Sequence, residues 1–177
     1  MNQIRKIDMS HKDYQPNSYF CFVCGLKNES GLRVRFQNDG AGQVRVETRI
    51  CDRHQGYPGV AHGGVVAALM DEVMGRSIMS GNPERLFFTA KMEIRYRQHV
   101  PLDTDLVAIG RVVKDRGRAA TAEGQLILPD GTVAIEGTAT LFEVPKAELE
   151  AMMQQSDLGW HVYSDEEVEA ILNDGSL

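Results

Sequence analysis

The sequence predicts an α+β fold in which a curved antiparallel β-sheet wraps around one long central helix, with short peripheral helices at the C-terminal end. Three observations predict it. Apolar and polar residues alternate through five or six segments, as strands with one buried face require. Turn-forming residues separate the later segments closely enough to make a meander of antiparallel strands. A single long helical pattern, apolar on most of its sides, falls between the second and third strands and needs cover all round.

The first two strands read Leu32, Val34, Phe36 and then Val44, Val46, Ile50, with Asn38-Asp39-Gly40 as the hairpin turn between them. The helix runs roughly from His62 to Ser80, and Gly81-Asn82-Pro83 ends it. In the third strand Phe88, Ala90, Met92, Ile94 and Tyr96 form the core face, alternating with Thr89, Lys91, Glu93, Arg95 and Arg97, and the strand stops before Pro101. Asp105 to Val113, Ala119 to Leu128 and Thr132 to Val144 complete the meander, with turns at Arg116-Gly117-Arg118 and Pro129-Asp130-Gly131. Beyond Pro145 the pattern changes to two short helices, Lys146 to Gln155 and one opened by the capping box Ser164-Asp165-Glu166-Glu167. The expected organisation is a loosely ordered arm over 1–20, one domain over 21–145 and a peripheral helical tail over 146–177.

Composition narrows the classes of function. A length of 177 residues, with 42% hydrophobic and 7% aromatic content, fits one soluble domain. The longest apolar stretch, Val65 to Met70, is far short of the about 20 residues that span a bilayer, and the opening residues have no apolar signal region, so a cytoplasmic protein without a membrane partner is expected. A net charge of -6 argues against nucleic acid, whose readers carry a basic stripe. Three cysteines, Cys21, Cys24 and Cys51, are expected to be reduced.

The helix carries one odd carboxylate. Glu72 and Arg76 fall on one narrow edge and read as a solvated i,i+4 pair. Asp71 lies away from that edge, with Ala67, Ala68, Met74 and Gly75 as its helical neighbours. An Asp so placed either has a hidden hydrogen-bond partner or sits at a cleft where an unpaired carboxylate is useful. Upstream, the Gly/Pro-rich loop from His54 to Gly64 delivers Gly63 and Gly64 to the helix N-terminus, where backbone N–H groups lack intrahelical partners. Such an end can serve charge developing on a carbonyl oxygen, or can be an ordinary glycine-tolerant helix start.

His62-Gly63-Gly64, the Gly56-Tyr57-Pro58-Gly59 lead-in, Asp71 nine residues after His62, and Thr89 opening Thr-Ala-Lys-Met-Glu-Ile-Arg-Tyr together resemble hotdog-fold acyl-CoA thioesterases of the phenylacetate-pathway type. The likeness covers about residues 20 to 144, and Cys21-Phe-Val-Cys24-Gly25 with Asn28 and Gly31-Leu32 is similar to the lead-in of one branch, Glu29-Ser30 replacing its usual Asn-Pro. The resemblance implies hydrolysis of an acyl or aryl thioester to a carboxylic acid and free CoA. It implies a homodimer with active sites between subunits, sometimes paired into tetramers. Asp71 is then general base or nucleophile, the Gly63 N–H polarises the thioester carbonyl, Thr89 orients the attacking water, and His62 shapes the turn and touches the carbonyl. Gln55, Gly64 and His54 are expected at the substrate.

Thioester hydrolysis needs a base or nucleophile on one side of the carbonyl carbon and donors on its oxygen, with no metal or cofactor beyond the CoA of the substrate. Asp71 stands about 12 Å along the helix from Gly63, which favours pairing Asp71 of one subunit with the helix end of another. Arg116 and Arg118, with Lys114, are candidates for the CoA phosphates, solvated surface charge being the plainer reading. Cys21-x-x-Cys24 reads as packing, since a four-cysteine zinc set is absent, and Cys51 has no evident base partner. A hotdog hydratase would need a His and acid pair placed elsewhere. An acyl-CoA-binding protein without turnover is the alternative from outside enzymology.

Overall fold

The computed structural model describes residues 13–40, 42–154 and 158–174. The first part of the expected arm, with His11, lies outside them, as does Gln155. Strands β1 (Gln37–Asn38) and β2 (Gln43–Thr48) precede the single-turn 3-10 segment Asp52–His54 and helix α1 (Gly63–Ser77). Then come β3 (Phe87–Tyr96), β4 (Leu106–Asp115), β5 (Ala119–Ile127), β6 (Val133–Glu143), α2 (Lys146–Gln154) and α3 (Asp165–Asn173). All strand pairs are antiparallel in one six-stranded sheet ordered β1-β2-β4-β5-β6-β3, so β3 closes one edge with only β6 beside it.

Helix α1 lies against the sheet with Val66, Leu69, Met70, Val73 and Met74 buried. A row of glycines lets it come close. Gly110, Gly124 and Gly137 are register partners across β4, β5 and β6. A methyl group at Gly110 would stand 2.0 Å from the Val73 carbonyl oxygen, and one at Gly124 only 2.9 Å from Met70 Cε and Met74 Cγ. Met70 and Met74 are thus core fillers over glycine gaps. Val44, Val46, Leu106, Ala108, Ala122, Leu126, Ile135, Ala139 and Leu141 supply the rest of the buried face.

Two local expectations are corrected. Leu32 to Phe36 is not a sheet strand: Arg33 takes a left-handed φ of 53°, and Leu32 and Val34 instead donate to the carbonyls of Phe22 and Val23. The alternating burial of Val34 and Phe36 therefore comes from packing outside the ladder. Residues 13–20 are not loose. Gln15 and Asn17 are buried, Asn17 Nδ2 donates to the carbonyls of Cys24 and Val34, and the Asn17 backbone bridges His161.

The tail keeps its expected pattern, with both halves of the Ser164–Glu167 capping box formed and no buried residue in α3. Tyr163, just before it, is buried.

Candidate active site

His62 caps α1 with an extended backbone, its Nδ1 accepting from Gly64 N at 3.0 Å. The neighbouring Gly63 N–H has no hydrogen-bond partner among the described residues. Tyr96, at the far end of β3, donates its hydroxyl to Gly63 O at 2.8 Å, and partial desolvation raises its phenol above the ordinary range. Gly63 lines a depression of about 340 Å³ with Tyr57, Val66, Tyr96 and His99.

Two helical turns on, half-buried Asp71 lines a second cavity, of about 260 Å³, with Thr89, Cys21, Met79, Phe87 and Trp160. Its carboxylate has no hydrogen bond or ion pair among the described residues. A β-bulge brings Thr89 there. Register shifts between Thr89 and Lys91, so Thr89 pairs with buried Leu141 and Phe88 with exposed Phe142. The expected core face of β3 is therefore corrected at its start. Met92, Ile94 and Tyr96 share the face of Ala139, Gly137 and Ile135, but before the bulge at Ala90 the parity inverts, turning Phe88 outward and Thr89 toward α1.

Glu72 and Arg76 are not a solvated pair. Arg76 is 4% exposed, bonded to Glu72 Oε1 at 2.9 and 3.1 Å, to the Pro16 carbonyl and to Cys24 Sγ, and stacked near the rings of Phe36 and Trp160. Cys21 Sγ lies 3.0 Å from Glu72 Oε2. Within the cysteine pair the Cys24 thiol and backbone amides donate to Cys21, holding Cys21 below the usual thiol range, while that same bond and burial push Cys24 up. The pair Cys21 and Cys24 with Glu72 is the one place among the described residues where three metal-ligand atoms converge.

The other expected site residues lie apart from Asp71. Gln55 is exposed, its Oε1 accepting from Gly59 N within the loop. His54 is buried, its Nε2 2.8 Å from the Ser30 carbonyl and its Nδ1 3.6 Å from Cys51 Sγ, so Cys51 does have an imidazole beside it. Lys114, Arg116 and Arg118 are exposed at the β4–β5 turn, whose Arg118 carbonyl accepts from Glu143 N, at the sheet end where Thr89 lies. Another depression, of about 430 Å³, is a charged hollow lined by Glu93, Arg111, Glu123 and Glu136; it includes neither Asp71 nor Gly63.

Residues 58–135, from the loop before α1 into β6, match the family model described as Thioesterase superfamily. The fold is the hotdog fold. A thioesterase superfamily protein of known structure is 29% identical with a TM-score of 0.62, over 70% of this chain and 60% of that one. The chain thus spans less than two thirds of that protein. A hypothetical thioesterase from Streptococcus pneumoniae, solved with coenzyme A, is 25% identical at a TM-score of 0.54, over 58% of this chain and 79% of its own. A variant of the phenylacetic acid degradation protein PaaI from Thermus thermophilus shares the hotdog at 20% identity and a TM-score of 0.55, over 63% and 93%. No curated protein matches the chain. Among the described residues no helix is long and apolar enough to cross a membrane.

Proposed function

We propose that this hotdog domain is an acyl-CoA thioesterase, and the observation that carries the reading is the convergence of Asp71 and Thr89 on one cavity through the bulge in β3. An unpartnered, half-buried carboxylate beside a hydroxyl can activate or replace the attacking water, and Thr89 orients that water. The Gly63 N–H, free and at the positive end of α1, receives the developing oxyanion, with His62 and Gly64 shaping the turn. Gln55 and His54 belong to the wall of that loop, and Arg116 and Arg118 to the CoA phosphates. No cofactor is needed beyond the CoA of the substrate.

The two halves of this chemistry come from two copies. Tyr96 stands at the Gly63 end of α1 and Thr89 at the Asp71 end, so β3 runs antiparallel to the helix along an edge that has one neighbour. An exposed ten-residue edge invites pairing. Pairing two β3 edges antiparallel sets the Gly63 end of one copy beside the Asp71 cavity of the other, giving a homodimer with shared sites, which can pair further into a tetramer. The phenylacetate-pathway subtype rests on the motif from His62 to Thr89 and on the likeness to PaaI. Action in the cytoplasm fits three free cysteines.

Thiol release from a panel of acyl- and aryl-CoA thioesters tests the reading. Hydrolysis of some members, falling at least about a hundredfold in Asp71→Ala, is expected. Tight CoA-ester binding with no turnover in the folded parent would replace it with a binding protein.

A further inference from the structure

We propose that Cys21, Cys24 and Glu72 form a binding site for one divalent ion of the zinc class, with two sulfurs and one carboxylate oxygen as ligands and a fourth position facing the neighbouring cavity. The hydrolytic reading neither requires nor assigns it. The three ligand atoms lie within 4.8 Å of one another. Ligand atoms around tetrahedral zinc stand roughly 3.5–3.8 Å apart, so small side-chain rotations close the set.

The turn is built for a metal-ligating sulfur. Val23 N and Cys24 N lie 3.3 and 3.4 Å from Cys21 Sγ and donate to it, the outer hydrogen bonds that hold a ligating sulfur in place. Gly25 N closes the turn on the Cys21 carbonyl at 2.9 Å, and a methyl group at Gly25 would come within 2.3 Å of that oxygen, so only glycine fits. Glu72 is brought to the turn by α1, fifty-one residues away in sequence, at 3.0 Å from Cys21 Sγ.

Charge and surroundings agree. Two thiolates, the Glu72 carboxylate, the Arg76 guanidinium and a divalent ion sum to zero. Arg76 Nη2, 3.0 Å from Cys24 Sγ and 2.9 Å from Glu72 Oε1, is the outer donor that orients two of the three ligands. Thiolate sulfur selects zinc-class ions over magnesium or calcium. Cys21, Cys24 and Glu72 all line the cavity that Asp71 lines, so a fourth ligand, water or substrate, has room. Binding would clip the 18–26 segment to α1.

The test uses the full reduced chain, stripped with chelator and titrated first with Co²⁺ and then with Zn²⁺. One Co²⁺ per chain is expected, with thiolate-to-cobalt charge-transfer bands and the intense visible bands of four-coordinate cobalt, both abolished by one equivalent of Zn²⁺. Cys21→Ser and Cys24→Ser should lose the bands, Glu72→Gln should bind at least about tenfold more weakly, and Asp71→Ala should keep full binding whatever its effect on hydrolysis. Zn²⁺ should also raise the melting temperature of the parent, a readout that does not depend on any variant folding. Absence of charge-transfer bands in the folded, reduced parent would overturn the proposal, as would bands that survive Cys24→Ser and vanish in Cys51→Ser. A Cys21–Cys24 disulfide whose reduction restores no cobalt binding would overturn it in favour of a redox pair.

Discussion

Gly63 contributes one N–H to the proposed chemistry, and that group can be deleted almost alone. Proline at the first helical position is well tolerated, and His62 already holds the extended conformation (ψ 131°) that a following proline demands. A Cβ there would stand 3.7 Å from Tyr96, an ordinary contact. Gly63→Pro is therefore expected to fold and melt like the parent and to lose about 10²–10³ in kcat in the thiol-release assay. Arg76 makes the opposite kind of prediction. Arg76→Leu strands the Glu72 carboxylate, which keeps only 18% of its surface exposed, and should cost about 3 kcal/mol in urea unfolding. The double variant with Glu72→Leu should regain most of it. Asp71 was legible in the sequence because a carboxylate among small apolar neighbours breaks the pattern of its helix. Arg76 was not, since what buries it, Pro16, Cys24, Phe36 and Trp160, comes from segments far off in the chain, and i,i+4 spacing carries no trace of them.

The elements show where periodicity is a sound guide and where it fails. Helix α1 and the strands β2 and β4 to β6 follow from period and turn residues, because each has a buried face, and α3 follows from its capping box alone, since it buries no residue. β3 misleads because its alternation reads evenly through Ala90, and only the pairing with β6 reveals the extra residue that turns Thr89 toward the helix. The same change of face is what brings Thr89 to Asp71. Leu32 to Phe36 misleads for a different reason: Val34 and Phe36 are buried in the main core, but the backbone there bonds to the 22–23 segment and not to a strand partner. The glycine row under α1 is the sheet's most demanding feature. Gly110→Ala would push a methyl into the Val73 carbonyl, a backbone atom that cannot rotate away, and should cost about 3 kcal/mol or more in the same unfolding measurement.

For the whole molecule, fold and function meet at the open edge of β3. One copy holds Asp71 and Thr89 in one cavity and Gly63 in another. Light scattering should accordingly give a dimer or a pair of dimers, in keeping with a ten-residue edge strand left with one neighbour. In the sequence this arrangement was legible through the resemblance carried by the His62 to Thr89 motifs and through the distance along the helix from Gly63 to Asp71, but no residue pattern encodes which edge a second copy covers. The sharpest measurement mixes two inactive proteins, Asp71→Ala and Gly63→Pro, refolds or co-expresses them, and follows thiol release from an acyl-CoA that the parent hydrolyses. If each site takes its carboxylate from one copy and its amide from the other, every mixed dimer holds one intact site beside one doubly damaged site, and activity returns to about half the parental level per dimer. Mixed dimers, verified by mass, that stay as inactive as either variant alone would show that the two groups do not meet across the subunits.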